Sequence, residues 1–146
     1  MSASLKHLRF AGYAALFGKR DAGGDIIEPG AFAQSLDQHP APYPLLWQHR
    51  PDLRIGWVEK IAEDKRGLRV VARIDNAQGG AAAALKRGAV TGLSFGYRAK
   101  HWRADGAGRD LTEVQLFEVS LVTHPMQHAA RVHLLEWRRN WQNQRV

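Results

Sequence analysis

At 146 residues, with 45% hydrophobic and 24% charged side chains, the chain has the length and composition of one ordinary globular domain, which excludes wholesale disorder. It contains no cysteine, which excludes a disulfide framework, a thiolate metal site and a cysteine nucleophile. The formal charge of +7 favours an anionic partner, but Arg131, Arg138, Arg139 and Arg145, set against Glu136 alone, concentrate it at the end of the chain, which weakens a nucleic-acid reading for the body.

In chain order, residues 10–17 read as a first strand entering the turn Asp21-Ala22-Gly23-Gly24-Asp25. Residues 31–36 read as a short helix stopped before Pro40. Residues 43–49 read as a short strand, which Pro44 and Pro51 would keep at a sheet edge or margin, with His49 where it stops. Residues 55–61 and 68–74 flank a polar segment and read as a hairpin. The alanine-rich stretch 77–87 predicts a helix, with Gly88 as its left-handed stop. Residues 91–102 and 110–123 make a longer hairpin about Asp105-Gly106, ending at Pro125. Ala130, Leu134, Trp137 and Trp141 then recur at helical spacing. The expected organisation is a body over residues 1–127 and a basic amphipathic helix over 128–146. No apolar run approaches the ~20 residues of a membrane span, and residues 1–7 lack the apolar centre of a signal peptide, so a cytoplasmic location is expected.

Three polar residues interrupt apolar stretches: His49 after Leu45-Leu46-Trp47-Gln48, Ser94 within Gly92-Leu93-Ser94-Phe95-Gly96, and Glu118 within Phe117-Glu118-Val119-Ser120. Burying a polar group is costly unless it is paired, and these three can satisfy one another as a Ser-His-Glu relay. The chemistry asks for these types. A serine hydroxyl is a weak nucleophile until an imidazole removes its proton, and a carboxylate on the far ring nitrogen fixes the tautomer. Strand alternation puts Ser94 on one face with Gly92 and Gly96, a bare face that would admit a substrate backbone. Each residue also has a plainer reading: His49 as a core or edge histidine, Ser94 as a packing choice, Glu118 as a solvent-facing strand residue. The Gly-x-Ser-x-Gly pattern matches a hydrolase nucleophile elbow, but it lies inside a strand with no helix following, so that fold is rejected. Neither a metal nor a cofactor is expected, because His124 and His128 straddle Pro125 and no other histidine pair has helical ligand spacing.

Taken together and in order, Phe10-Ala11-Gly12-Tyr13-Ala14, Asp25-Ile26-Ile27-Glu28-Pro29-Gly30-Ala31-Phe32, Leu45-Leu46-Trp47-Gln48-His49, Gly92-Leu93-Ser94-Phe95-Gly96-Tyr97 and Leu116-Phe117-Glu118-Val119-Ser120-Leu121-Val122 resemble the tailed-phage prohead protease family. The resemblance covers most of the chain, from Phe10 to Met126. It implies a mainly β fold with peripheral helices, a small barrel similar to the herpesvirus capsid proteases. It also implies a serine endopeptidase that matures capsids, with Ser94 as nucleophile, His49 as base and Glu118 as third member. His101 and His124 are rivals for the third role, since related capsid proteases use a histidine there. Arg98, four residues beyond Ser94, is a candidate helper of the oxyanion hole. The implied partners are the major capsid protein with its scaffolding segment, inside the immature capsid in the host cytoplasm. Portal protein or a second copy of the chain are what the basic tail could dock. Two other readings stay open: a catalytically silent assembly module that binds scaffold, and nucleic-acid binding through the basic tail.

Overall fold

The computed structural model describes residues 6–136 of the chain. Eight strands form one sheet: β1 (Leu8–Leu16), β2 (Asp25–Ile27), β3 (Tyr43–Trp47), β4 (Arg50–Glu63), β5 (Gly67–Ile74), β6 (Gly92–Ala104), β7 (Arg109–Val122) and β8 (Val132–Glu136). Two short helices, α1 (Ala33–Gln38) and α2 (Gly80–Lys86), lie between strands. The order across the sheet is β2-β7-β3-β4-β5-β1-β8, with β6 paired to β7.

Alternation explains the strands best where it is cleanest. In β5, Leu68, Val70, Ala72 and Ile74 are buried while Arg69 is exposed, so one face meets the core and the other meets water. The same core takes Phe10 and Leu8 from β1, Tyr43 and Leu45 from β3, Leu93 from β6, and Val114, Val119 and Leu121 from β7. Helix α2 buries Ala82, Ala84 and Leu85. It ends as expected at Gly88, whose φ of +76° only glycine adopts readily.

The sheet curls until its two ends meet. β8 lies against β1, and the chain entering it bonds the start of β6 and the residue before that strand: Leu93 N–H donates to the Ala130 carbonyl at 2.8 Å, and Val132 N–H to the Thr91 carbonyl at 3.0 Å. Tyr13 N–H donates to the Arg131 carbonyl at 3.2 Å. Residues 130–132 therefore connect β1 to the start of β6.

Two expectations are corrected. Val132–Glu136 is a strand of the sheet, not the opening of a C-terminal helix, and residues 137–146 with Trp137 and Trp141 lie outside the described residues. The free edge of β1 offers a ladder that the isolated helical spacing could not anticipate, and this tertiary pairing overrides local pattern. β3 is interior, not an edge strand, with β4 antiparallel on one side and β7 parallel on the other. Its prolines are tolerated for local reasons. Pro44 precedes the β7 ladder, which begins at Leu45, and Pro51 sits in an exposed bulge between Arg50 and Arg54, the residues paired with Trp47 and Leu46.

Candidate active site

β7 is flanked along its length by β6 and, near its end, by β3, so three separate sequence blocks meet there. The registers are Ser94 opposite Ser120, Gly96 opposite Glu118, and Leu46 opposite Ser120. Since Val119, Leu121 and Leu45 face the core, Glu118, Ser120 and Ser94 share the outer face.

His49 enters from the connection between β3 and β4. Trp47 pairs with Arg50, leaving Gln48 and His49 as a two-residue turn, and both have positive φ, +53° and +59°. Such hairpin turns require left-handed backbone at both positions and favour Asn and Gly. Neither residue here is of that kind, and the left-handed region costs a side-chain-bearing residue about 1–2 kcal/mol. Backbone held this way persists only where its surroundings over-determine it.

Hydrogen bonds to β7 and to the residue after it supply those surroundings. Gln48 N–H donates to the Leu121 carbonyl at 3.0 Å, and the Gln48 amide pairs with Thr123, donating to its hydroxyl at 2.7 Å and accepting its N–H at 3.1 Å. His49 N–H donates to Ser120 Oγ at 3.1 Å. Turned this way, the imidazole places Nδ1 at 2.5 Å from Glu118 Oε1. The other carboxylate oxygen, Oε2, accepts the Ser120 hydroxyl at 2.8 Å. The carboxylate is nearly enclosed, while the imidazole is 39% exposed.

The structure thus brings His49 and Glu118 together. Ser94 lies on the neighbouring strand of the same face, 4% exposed, and its hydroxyl bonds no described residue. His49 Nε2 also bonds no described residue, so the Ser94–His49 hydrogen bond is not made in this state. Catalytic contacts of this kind are commonly loose before substrate binds.

The expected bare face around Ser94 is filled by protein groups. A Cβ on Gly96 would stand 2.9 Å from the Glu118 carboxylate carbon, and one on Gly92 would stand 2.7 Å from Pro125 Cδ. The lack of a side chain at these glycines leaves room for the Glu118 side chain and the Pro125 ring. The two rival histidines lie elsewhere. His101 is an exposed β6 residue 3.7 Å from Glu113, and His124 is exposed after β7. Arg98 shares the outer face and is opposite Gln115, about 13 Å along the strand from Ser94. Sequence reading missed Ser120, Gln48 and Thr123. For Ser120 a signal existed, two residues from Glu118 on the same face; for Gln48 and Thr123 there was none.

At the far end of β7 a second polar cluster anchors β2. Arg109 grips Asp25 through Nε and Nη2, both at 2.9 Å, and the Tyr97 hydroxyl donates to the same carboxylate at 2.7 Å. The guanidinium holds the Asp25 carboxyl below its ordinary value, while burial raises the Tyr97 hydroxyl above its own. No group of three or more metal-ligating side chains occurs among the described residues.

The curled sheet with its short helices matches the fold of the herpesvirus proteases. The structure of the Kaposi's sarcoma-associated herpesvirus protease with a hexapeptide phosphonate inhibitor matches 95% of this chain and 69% of its own, with a TM-score of 0.59 and 16% identity. The varicella-zoster virus protease matches 87% and 63%, with a TM-score of 0.53 and 20% identity. The family is narrower than the fold. The chain belongs to the Caudovirus prohead serine protease family, whose model matches residues 2–144. It is 33% identical over 130 residues to the prohead protease of Enterobacteria phage HK97, and spans 58% of that relative's length and 84% of its own.

Proposed function

We propose that the protein is a serine endopeptidase of capsid maturation in which Ser94 is the nucleophile, His49 the general base and Glu118 the group that orients it. One observation carries this reading: the His49 Nδ1–Glu118 contact of 2.5 Å, on the face that Ser94 shares. Family membership supplies the reaction class.

In the proposed reaction, Ser94 Oγ attacks the scissile carbonyl carbon as His49 Nε2 takes its proton, giving a tetrahedral intermediate. Glu118 accepts the Nδ1–H, which fixes the tautomer and stabilises the imidazolium. His49 then protonates the departing amine, and water repeats the sequence on the acyl-enzyme, freeing Ser94. Among the described residues, β6 has no ladder partner beyond β7 over residues 94–104, so an extended peptide could add along that edge beside the nucleophile.

The proposed substrate is the scaffolding part of the cognate major capsid protein, cut inside the immature capsid. Co-expression of that protein with the wild type and with Ser94→Ala, followed by mass measurement, tests enzyme and substrate together. Shortened capsid protein only with wild type is expected; equal shortening with both removes Ser94 from the mechanism. The unmade Ser94–His49 bond favours a second reading, a silent scaffold-binding module. Labelling of Ser94 by a phosphonate would dismiss it.

A further inference from the structure

The hydrogen bonds on the outer face close a ring. His49 N–H donates to Ser120 Oγ, Ser120 O–H donates to Glu118 Oε2, and Glu118 Oε1 meets Nδ1 of the same histidine. We propose that Ser120 is a positioning residue of this site, tying the carboxylate to the backbone of the histidine it serves so that the two hold one relative geometry. The inference rests on the Ser94–His49–Glu118 reading.

A hydroxyl has one proton to donate and lone pairs to accept with. Ser120 gives its proton to Glu118 and accepts from His49, so it has none left for a nucleophile's role, and at 0% exposure it is closed to substrate. This separates it from Ser94, which faces it across the strands and whose hydroxyl bonds no described residue. The two duties of Ser120 also serve different parts of the problem. Accepting from His49 N–H satisfies a backbone donor that the left-handed turn removes from the β3–β4 ladder. Donating to Oε2 stops the carboxylate from rotating, so that Oε1 stays on Nδ1. Remove the hydroxyl and both constraints go at once, while the apolar packing of Val119 and Leu121 on the opposite face is untouched.

Because Ser120 acts through Glu118, its effect should vanish when Glu118 can no longer act. The experiment uses the full chain and measures the rate of labelling by a fluorophosphonate probe, together with the cleavage rate of the cognate capsid protein at saturating and limiting concentration. The variants are Ser120→Ala, Ser120→Thr, Glu118→Gln and the double variant Ser120→Ala/Glu118→Gln. Loss of a hydrogen bond to a charged group predicts that Ser120→Ala slows labelling and saturated cleavage roughly 10- to 100-fold, with KM changed less than about twofold. In the Glu118→Gln background the same change should cost less than about threefold. Ser120→Thr, which keeps the hydroxyl on a strand that tolerates β-branching, should recover most of the rate. Wild-type rates in Ser120→Ala, or an equal loss in both backgrounds, would overturn the proposal. If Ser120→Ala does not fold, Ser120→Thr decides: wild-type-like rates in that variant with a melting point near that of the parent support it, and a folded but slow Ser120→Thr overturns it. Failure of the underlying reading is separate, since it would show as full labelling of Ser94→Ala or undiminished cleavage by Glu118→Gln.

Discussion

His49 holds a left-handed backbone so that its ring reaches Glu118, and the two residues are joined by a contact that any test of the site must break. Glu118→Gln keeps the shape but loses the charge. By comparison with other triads its capsid-cleaving activity should fall on the order of 10²–10⁴, while His101→Ala and His124→Ala, which lie elsewhere, stay near wild type. Normal activity in Glu118→Gln beside an inactive histidine variant would transfer the third role to that histidine. Gly96→Ala tests the same carboxylate from the opposite strand. The added methyl occupies the space of the Glu118 side chain, so the variant should fold, with a circular dichroism spectrum like the parent's, yet cleave at least about tenfold more slowly. Unchanged cleavage would mean that the carboxylate can sit elsewhere and still serve. Removal of base and nucleophile should not add: His49→Ala/Ser94→Ala is expected to be about as slow as the worse single variant, and a loss equal to the product of the two would break the relay.

At the scale of elements, β2 is three residues long and is held to β7 as much by its side chain as by its ladder. Asp25 is the point of attachment, gripped by Arg109 and Tyr97. Its carboxyl titrates below the unfolded value of about 3.9, so its contribution to stability is complete above that pH and is lost as pH falls through the lower, folded value. Asp25→Asn should therefore lower stability at pH 7 by about 1.5–3 kcal/mol and flatten the dependence of stability on pH below 4. Urea unfolding at pH 7 and at pH 3 measures both. A variant that remains as acid-sensitive as the parent would place the titrating group elsewhere. The turn carrying His49 is the opposite kind of element, short and strained, and it is kept in place by the Gln48–Thr123 pair and by β7 itself.

For the molecule as a whole, closure of the curled sheet depends on a close approach at Gly12. A Cβ there would stand 2.8 Å from Leu93 Cδ1 and 2.9 Å from the Val132 Cα, where β1 meets both β6 and β8. Gly12→Val should destabilise the fold by about 1–3 kcal/mol, seen as a melting midpoint lowered by roughly 4–12 °C. Because Leu93 precedes Ser94, the same variant should also disturb the nucleophile strand. An unchanged midpoint would show that the sheet closes with room to spare.

What the sequence determined by itself was what depends on neighbours along the chain. The alternation of Leu68, Val70, Ala72 and Ile74 marks a half-buried strand wherever it occurs, Gly88 ends a helix because of its own backbone, and His49, Ser94 and Glu118 stand out because each is a polar residue in an apolar run. The interior place of β3 and the strand at Val132–Glu136 were decided by partners 70 or more residues away, Val119 to Leu121 for the first and Arg9 to Gly12 for the second. Local pattern carries no information about those edges. For Gln48 the same holds, and for Ser120 the sequence offers only its place two residues from Glu118 on one strand face. A serine within a core strand and a glutamine in a turn are unremarkable in one dimension, and only the curl of the sheet, which sets β3 beside β7, turns their ordinary hydrogen bonds into the frame that holds His49 against Glu118.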